Sequence, residues 1–282
     1  MLPEKKTVVS RRTFIRDISF ATLLLAGGGA KALTRSELNA VDEKVLLRFA
    51  VASDAHYGQP KTAFDAMIEK TTGQINLFHQ SHPLDFCVIN GDLIHNEKPL
   101  LPLVKQQISK LTMPWQVTRG NHDMVTEEEW KNVFGTPLNH DIVVKETGII
   151  LGDTSNEKGT YLSPDLGWLK QCLDKHRDKK NVFLFLHIPQ AQWTANGIDN
   201  PAFFELVEKY PNLKAVFHGH EHDQDGVRFH KQLPFLFDSH IGGSWGTDYK
   251  GFRVVELMED GSMLTYMMNP ETKFMEQWYY QS

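Results

Sequence analysis

The sequence predicts a layered α/β fold, and three observations carry that prediction. Short apolar runs without polar alternation recur along the chain, the mark of strands buried on both faces. Stretches with apolar residues at helical spacing separate several of them. Five of the runs stop at clusters of Asp, Asn or His. In layered α/β folds the loops at the carboxyl ends of strands converge, so residues far apart in sequence can share one site there.

The elements follow in order. Residues 44–53, KVLLRFAVAS, form a buried strand that stops at Asp54-Ala55-His56. Phe64, Met67, Ile68, Ile75 and Phe78 recur at helical spacing, so a helix covers 62–80. Phe86–Asn90 is a second strand, ending at Gly91-Asp92. Helix-like sequence over 101–111 leads to the strand Trp115–Thr118, which ends at Gly120-Asn121-His122-Asp123. Residues 149–151 read as a strand, and Pro164 with Asp165 opens a helix running to 178. The run VFLFL at 182–186 stops at His187. A helix near 202–209 precedes the strand 214–217, which delivers Gly219-His220-Glu221-His222. From 227 to 280, short apolar runs alternate with Gly-rich turns and read mostly as strands.

Those five blocks, in that order, resemble the calcineurin-like metallophosphoesterase superfamily over residues 46–258. The resemblance implies a four-layer α/β/β/α sandwich, two sheets face to face with helices outside, with the strand-rich tail serving the second sheet. It implies one metal held by Asp54, His56, Asp92 and His222, and a second held by Asp92, Asn121, His187 and His220, with Asp92 bridging. Carboxylate, amide and imidazole donors without a thiolate suit Mn, Fe or Zn. By the same resemblance, a hydroxide bridging two divalent or mixed-valence ions attacks phosphorus in line, and the ions neutralise the charge that builds on the phosphoryl oxygens. His122 is implied as the catalytic residue that contacts a phosphoryl oxygen or protonates the leaving group. Asp123 beside it is expected to orient the ring.

Other candidates rest on position alone. His95 follows Asp92 by three residues, where purple acid phosphatases carry a ligating Tyr; the His disfavours that subclass, and a substrate-facing and a solvent-facing ring remain open. Tyr57 either lines the pocket mouth or packs. His218 is expected to point away from the metals, and His240 returns near the site or packs. His79, His82, His140, His176 and His230 read as surface or packing residues. The stretch around Trp193, WTANGIDN, is placed as a polar loop at the same end of the fold, a specificity loop by position.

The 282 residues divide into an extension over 1–32, a linker over 33–43 and one domain over 44–282. Ser10-Arg11-Arg12-Thr13-Phe14-Ile15-Arg16 precedes an Ala- and Gly-rich apolar stretch over 18–30. That stretch is shorter than the ~20 residues a bilayer takes, and Ala30-Lys31-Ala32 follows as a small-x-small cleavage site. The extension resembles a twin-arginine export signal, with Ile15 and Arg16 in place of the usual Leu and Lys; the alternative is a short leader or a retained anchor. The expectation is a periplasmic or secreted protein, carried by the twin-arginine machinery and free of the membrane once cleaved. The extension carries six cations (Lys5, Lys6, Arg11, Arg12, Arg16, Lys31) against Glu4 and Asp17, so its removal takes the formal charge from −5 to −9. An acidic surface repels polyanions, so no nucleic-acid partner is expected and the partner is a small phosphate ester. Cys87 and Cys172 read as small core hydrophobes rather than a disulfide. The sequence reading is an exported hydrolase of small phosphomonoesters or phosphodiesters; its alternatives are a metal-dependent nuclease and a non-catalytic scaffold of the same fold. Oligomeric state is not readable from the sequence.

Overall fold

A computed structural model describes residues 19–26, 29–32, 44–238, 240–248 and 250–268. The twin-arginine motif, the 33–43 linker and the tail beyond 268 lie outside the described residues.

The strands are β1 (Ser19–Ala26), β2 (Gly29–Ala32), β3 (Val45–Ala52), β4 (Phe86–Asn90), β5 (Trp115–Thr118), β6 (His140–Val144) and β7 (Thr147–Gly152). They continue as β8 (Asn181–Leu186), β9 (Leu213–His218), β10 (Val227–His230), β11 (Leu233–Phe237), β12 (Phe252–Met258) and β13 (Met263–Met268). The α-helices are α1 (Phe64–Ser81), α2 (Leu101–Ile108), α3 (Glu127–Phe134), α4 (Leu166–Lys175) and α5 (Pro201–Val207). One sheet runs β2-β1-β13-β12-β3-β4-β5 and the other β10-β11-β9-β8-β7-β6.

Alternation along β3 shows how the layers form. Leu47, Phe49 and Val51 enter the core between the sheets, while Ala50 and Ala52 face the core under α1 and α2. Between the sheets the packing is largely aromatic: Phe49 stacks on Phe86 at 4.8 Å, and Phe185 stacks on Phe217 at the same distance. A third core joins the second sheet to α4 and α5 through Leu169, Leu173, Leu184 and Phe203. The arrangement is the expected four-layer α/β/β/α sandwich. Cys87 and Cys172 are both free, and they sit in different cores, under α1 and beneath α4.

Strand direction sets up the site. β3, β4 and β5 are parallel, and so are β7, β8, β9 and β11, so several carboxyl ends open onto one edge of the sandwich. Four elements went unread in the sequence: α3, β6, β1 and β2. Helix α3 starts at a capping box in which Thr126 Oγ1 accepts from Glu129 N while the Glu129 carboxylate accepts from Thr126 N. Strands β1 and β2 run along the outer edge of β13, where the sequence reads only an export leader; of that stretch, Leu25 reaches the core between the sheets. Among the described residues, no helix is long and apolar enough to cross a membrane.

Candidate metal centre

Beyond the ends of β3 and β4 the chain stays zipped in parallel: Asp54 N donates to Gly91 O, His56 N to Asp92 O and Tyr57 N to Leu93 O, each at 3.0 Å. Side chains are aimed by an unusual backbone. Asp54, His56, Asp92 and His220 have φ of 55°, 42°, 50° and 70°. For residues with a Cβ this left-handed region costs ~1–3 kcal/mol each, and it persists where surrounding contacts impose it. Glycine is required where the loops cross. At Gly91, φ +85°, a Cβ would fall 2.3 Å from His187 Nδ1, and at Gly120 it would fall 2.2 Å from Asp92 N.

Six of the seven expected ligands converge, and among the described residues they form two separate clusters: Asp54, His56 and His222, and Asp92, His187 and His220; the seventh, Asn121, follows β5 with its Oδ1 buried. His222 Nε2 lies 2.9 Å from His56 Nε2 and 3.3 Å from Asp54 Oδ1. Asp92 Oδ2 lies 3.3 Å from His187 Nε2 and 3.7 Å from His56 Nε2, so it faces both clusters. The other carboxylate oxygens are already engaged, Asp92 Oδ1 by His122 N at 2.7 Å and Asp54 Oδ2 by His220 N at 2.9 Å.

Four atoms on these loops are buried and have no hydrogen-bond partner among the described residues: Asp54 Oδ1, Asn121 Oδ1, His187 Nε2 and His220 Nε2. Such atoms cost ~1–3 kcal/mol each when left unsatisfied. Cations coordinated at this point would satisfy all four, and the nitrogen and oxygen donors suit first-row divalent ions. The outer nitrogens agree. His187 Nδ1 donates to Asn90 O at 2.7 Å and His222 Nδ1 to Trp245 O at 3.3 Å, so in the neutral ring of each Nε2 is the nitrogen that presents its lone pair. The residues present therefore fit a two-cation centre.

The electrostatics are those of buried anions held by imidazoles. Burial opposes ionisation of Asp54, but His187 and His222 outweigh it and hold the carboxyl at about 2. Asp92, opposed by burial and supported by His187 and His56, is also held well below the usual carboxylate range. Burial works against protonated His187 too, yet Asp92 and Asp54 raise it to about 10. Burial dominates at His56 and His220, pushing them down to about 3 and about 4.

His122 sits over this centre with its ring 4.8 Å from that of His56. Its orienting partner differs from expectation. Asn96 Oδ1, not Asp123, faces His122 Nδ1, at 2.8 Å. The Asp123 carboxylate turns into the loop, where Oδ1 accepts from Ile94 N and Oδ2 from Gly120 N, and burial together with nearby Asp92 raises it to about 7. Successive residues of a tight turn diverge, so the neighbour in sequence is not the neighbour in space. Asn96 went unread because its only signal is a place four residues after Asp92.

The open cases now resolve. His95 stands against the His56 and His122 rings. Tyr57 packs, its hydroxyl donating to Asp65. His218 turns away and donates to Leu186 O, and His240 packs 4.6 Å from His222 while donating to Gly242 O. Trp193 packs inward on Phe235, but Thr194 and Asn196 donate to the Glu221 carboxylate and tie their loop to the turn bearing His220 and His222. Trp245, 45% exposed, stacks on His222 at 4.3 Å, and Tyr161, 37% exposed, meets His220 edge-on at 4.7 Å. They wall the mouth of the centre.

A family model described as calcineurin-like phosphoesterase matches residues 47–224. A probable glycerophosphodiester phosphodiesterase of Arcobacter nitrofigilis is 30% identical over 49% of the chain and 56% of its own length, so the chain spans little more than half of that relative. A glycerophosphodiester phosphodiesterase of Enterobacter lignolyticus is 23% identical over 61% of the chain and 69% of its own length. A probable cyclic nucleotide phosphodiesterase of Ruthia magnifica is 28% identical over 49% and 62%. Among solved structures, a dimetal phosphatase of Danio rerio superposes with TM-score 0.66 at 12% identity, covering 81% of this chain and 98% of that one, a likeness of fold.

The His187 shift predicts proton-coupled metal uptake. Its raised value means that the proton stabilises the metal-free fold fully below about 6.5 and that this contribution is lost as pH rises through about 10. At pH 7.5 a cation taking Nε2 must expel that proton. Calorimetric titration in buffers of different ionisation enthalpy should register at least one proton released per chain, with affinity rising with pH over this window. Uptake without proton release contradicts the assignment of His187.

Proposed function

The chain belongs to the calcineurin-like phosphoesterase family, and from that premise we propose that it is a two-metal hydrolase of small phosphate esters, phosphodiesters above all. The observation that carries the reading is the set of buried atoms without a partner among the described residues, Asp54 Oδ1, Asn121 Oδ1, His187 Nε2 and His220 Nε2, on loops whose His56 ring meets that of His122 at 4.8 Å. Asp54, His56, Asp92 and His222 would hold one cation and Asp92, Asn121, His187 and His220 the other. Bound there, the cations supply Lewis acidity, activating water near neutral pH and neutralising charge on the phosphoryl oxygens.

The chain's own residues do the rest. His122 Nδ1 carries its proton toward Asn96 Oδ1, an acceptor, so Nε2 is the nitrogen that exchanges a proton with the departing oxygen. His122 N anchors Asp92 Oδ1, which links the position of the acid–base residue to that of the shared carboxylate. Trp245 and Tyr161 would border the substituent of the ester. A diester brings one negative charge and a monoester two. Arg119, the cation nearest in sequence to the Asn121–His122 pair, is spent on Asp153 and on the carbonyls of Val125 and Ser155. That commitment favours the diester, as do the names of the phosphodiesterase relatives.

Export is the second part of the proposal. It rests on Arg11-Arg12 ahead of an apolar stretch ending at Ala30-Lys31-Ala32, and twin-arginine transport of folded chains suits a protein that loads metal first. Small extracellular or periplasmic phosphate esters are then the substrates.

With Mn²⁺ added, the protein should hydrolyse bis-p-nitrophenyl phosphate faster than p-nitrophenyl phosphate. His122→Ala should lose ~10²–10⁴-fold in kcat while keeping its bound metal. Full activity in that variant, or no turnover of either ester with Mn²⁺, Fe²⁺ or Zn²⁺, defeats the proposal. Replacing Arg11 and Arg12 together by Lys should hold the protein in the cytoplasm on cell fractionation; unchanged export refutes the twin-arginine route.

A further inference from the structure

His56, His95 and His122 each bring a nitrogen within 4.8 Å of the others, yet the two-cation donor set uses only His56. A third cation is the obvious reading, and the hydrogen bonding opposes it. His122 Nδ1 faces the Asn96 Oδ1 acceptor at 2.8 Å and so carries a proton. His56 turns Nε2 toward His222 and the two carboxylates, at 2.9 Å from His222 Nε2 and 3.8 and 3.7 Å from Asp54 Oδ1 and Asp92 Oδ2. That leaves His56 Nδ1, which meets His95 Nδ1 at 3.0 Å, a distance at which one nitrogen donates and the other accepts.

We infer that His95 is a positioning residue for His56: its Nδ1 accepts the Nδ1 proton of His56 and so keeps the His56 Nε2 lone pair turned to the cation. The inference rests on the two-cation reading above. A neutral imidazole has one N–H, so a ring that binds metal through Nε2 carries its proton on Nδ1, and that proton needs an acceptor. His187 and His222 use the carbonyls of Asn90 and Trp245. At the same place behind His56 stands a second imidazole, and His95 must then carry its own proton on Nε2.

The backbone sets this contact up. His95 N donates to Tyr57 O at 3.0 Å, extending the zipper that joins the Asp54–His56 loop to the Asp92 loop, and Asn96 N donates to His122 O at 2.9 Å. The His95 ring is held between neighbours, edge-on to His56 at 5.1 Å and stacked on His122 at 4.8 Å with 13° between planes. One short segment, His95-Asn96, thus supplies the hydrogen-bond partners of both a metal ligand and the proposed acid–base residue.

The test uses the full chain loaded with Zn²⁺ and selectively ¹⁵N-labelled at histidine, with His95→Asn to identify the His95 signals by their loss. Long-range ¹H–¹⁵N spectra should show His95 protonated at Nε2 and His56 at Nδ1. In parallel, calorimetry with Zn²⁺ and Mn²⁺ should find two cations per chain. His95→Leu should weaken one of the two steps by about 10- to 100-fold, and His95→Asn, whose Oδ1 can replace the lost acceptor, should remain within about 3-fold of the parent. A His95 protonated at Nδ1, a third cation in the parent, or Leu and Asn variants that bind alike overturns the inference. A parent that binds no cation overturns the metal centre itself, and the role of His95 with it.

Discussion

Two carboxylates, Asp54 and Asp92, are withdrawn from water at the mouth of the sandwich, 0% and 1% exposed, with their inner oxygens turned toward shared imidazole nitrogens. Burying an ionised carboxylate costs several kcal/mol unless charge and hydrogen bonds compensate. Here the outer oxygen of each is bound by a backbone N–H from another loop, and the inner oxygens face histidines. Nothing about folding alone calls for such an arrangement. It makes physical sense as a socket for positive charge, and the left-handed backbone at Asp54, His56, Asp92 and His220 is a strain that such a socket justifies.

The fold makes the socket rigid. Parallel strands from both sheets end on the same edge, and the aromatic core between the sheets, where Phe49 of the first meets Phe183 and Phe217 of the second at 5.1 and 5.6 Å, fixes the two sets of strand ends against each other. His187 comes from the second sheet and Asn90, whose carbonyl it donates to, from the first, so one hydrogen bond spans the interface directly behind the metal-facing nitrogen. Gly91 has no side chain where that ring passes.

Much of this was legible from residue type and place. A buried strand announces itself by apolar continuity, and a polar block at its end marks a loop, so the five blocks stood out from the residues alone, and the family resemblance picked Asp54, His56, Asp92, Asn121, His187, His220 and His222 from them as ligands. What failed to show was whatever depends on side-chain direction. Asp123 looked like the partner of His122 because it is adjacent, but the turn sends its carboxylate to Ile94 N and Gly120 N, and Asn96 from another loop takes the place. His95 was visible only as a residue near Asp92; that it backs His56 depends on how two loops zip together. Helix α3 did leave a signal, the Thr126–Glu129 capping box, whereas the edge pairing of β1 with β13 left none, since an Ala- and Gly-rich apolar stretch reads equally well as a leader.

The central claim is that these loops gather two cations around Asp92. Crystals grown with Mn²⁺ test it most directly through anomalous scattering. The account predicts two peaks ~3.5–4 Å apart, one among Asp54, His56 and His222, the other among Asn121, His187 and His220, with Asp92 between them. A single peak, none, or peaks away from Asp92 would contradict it.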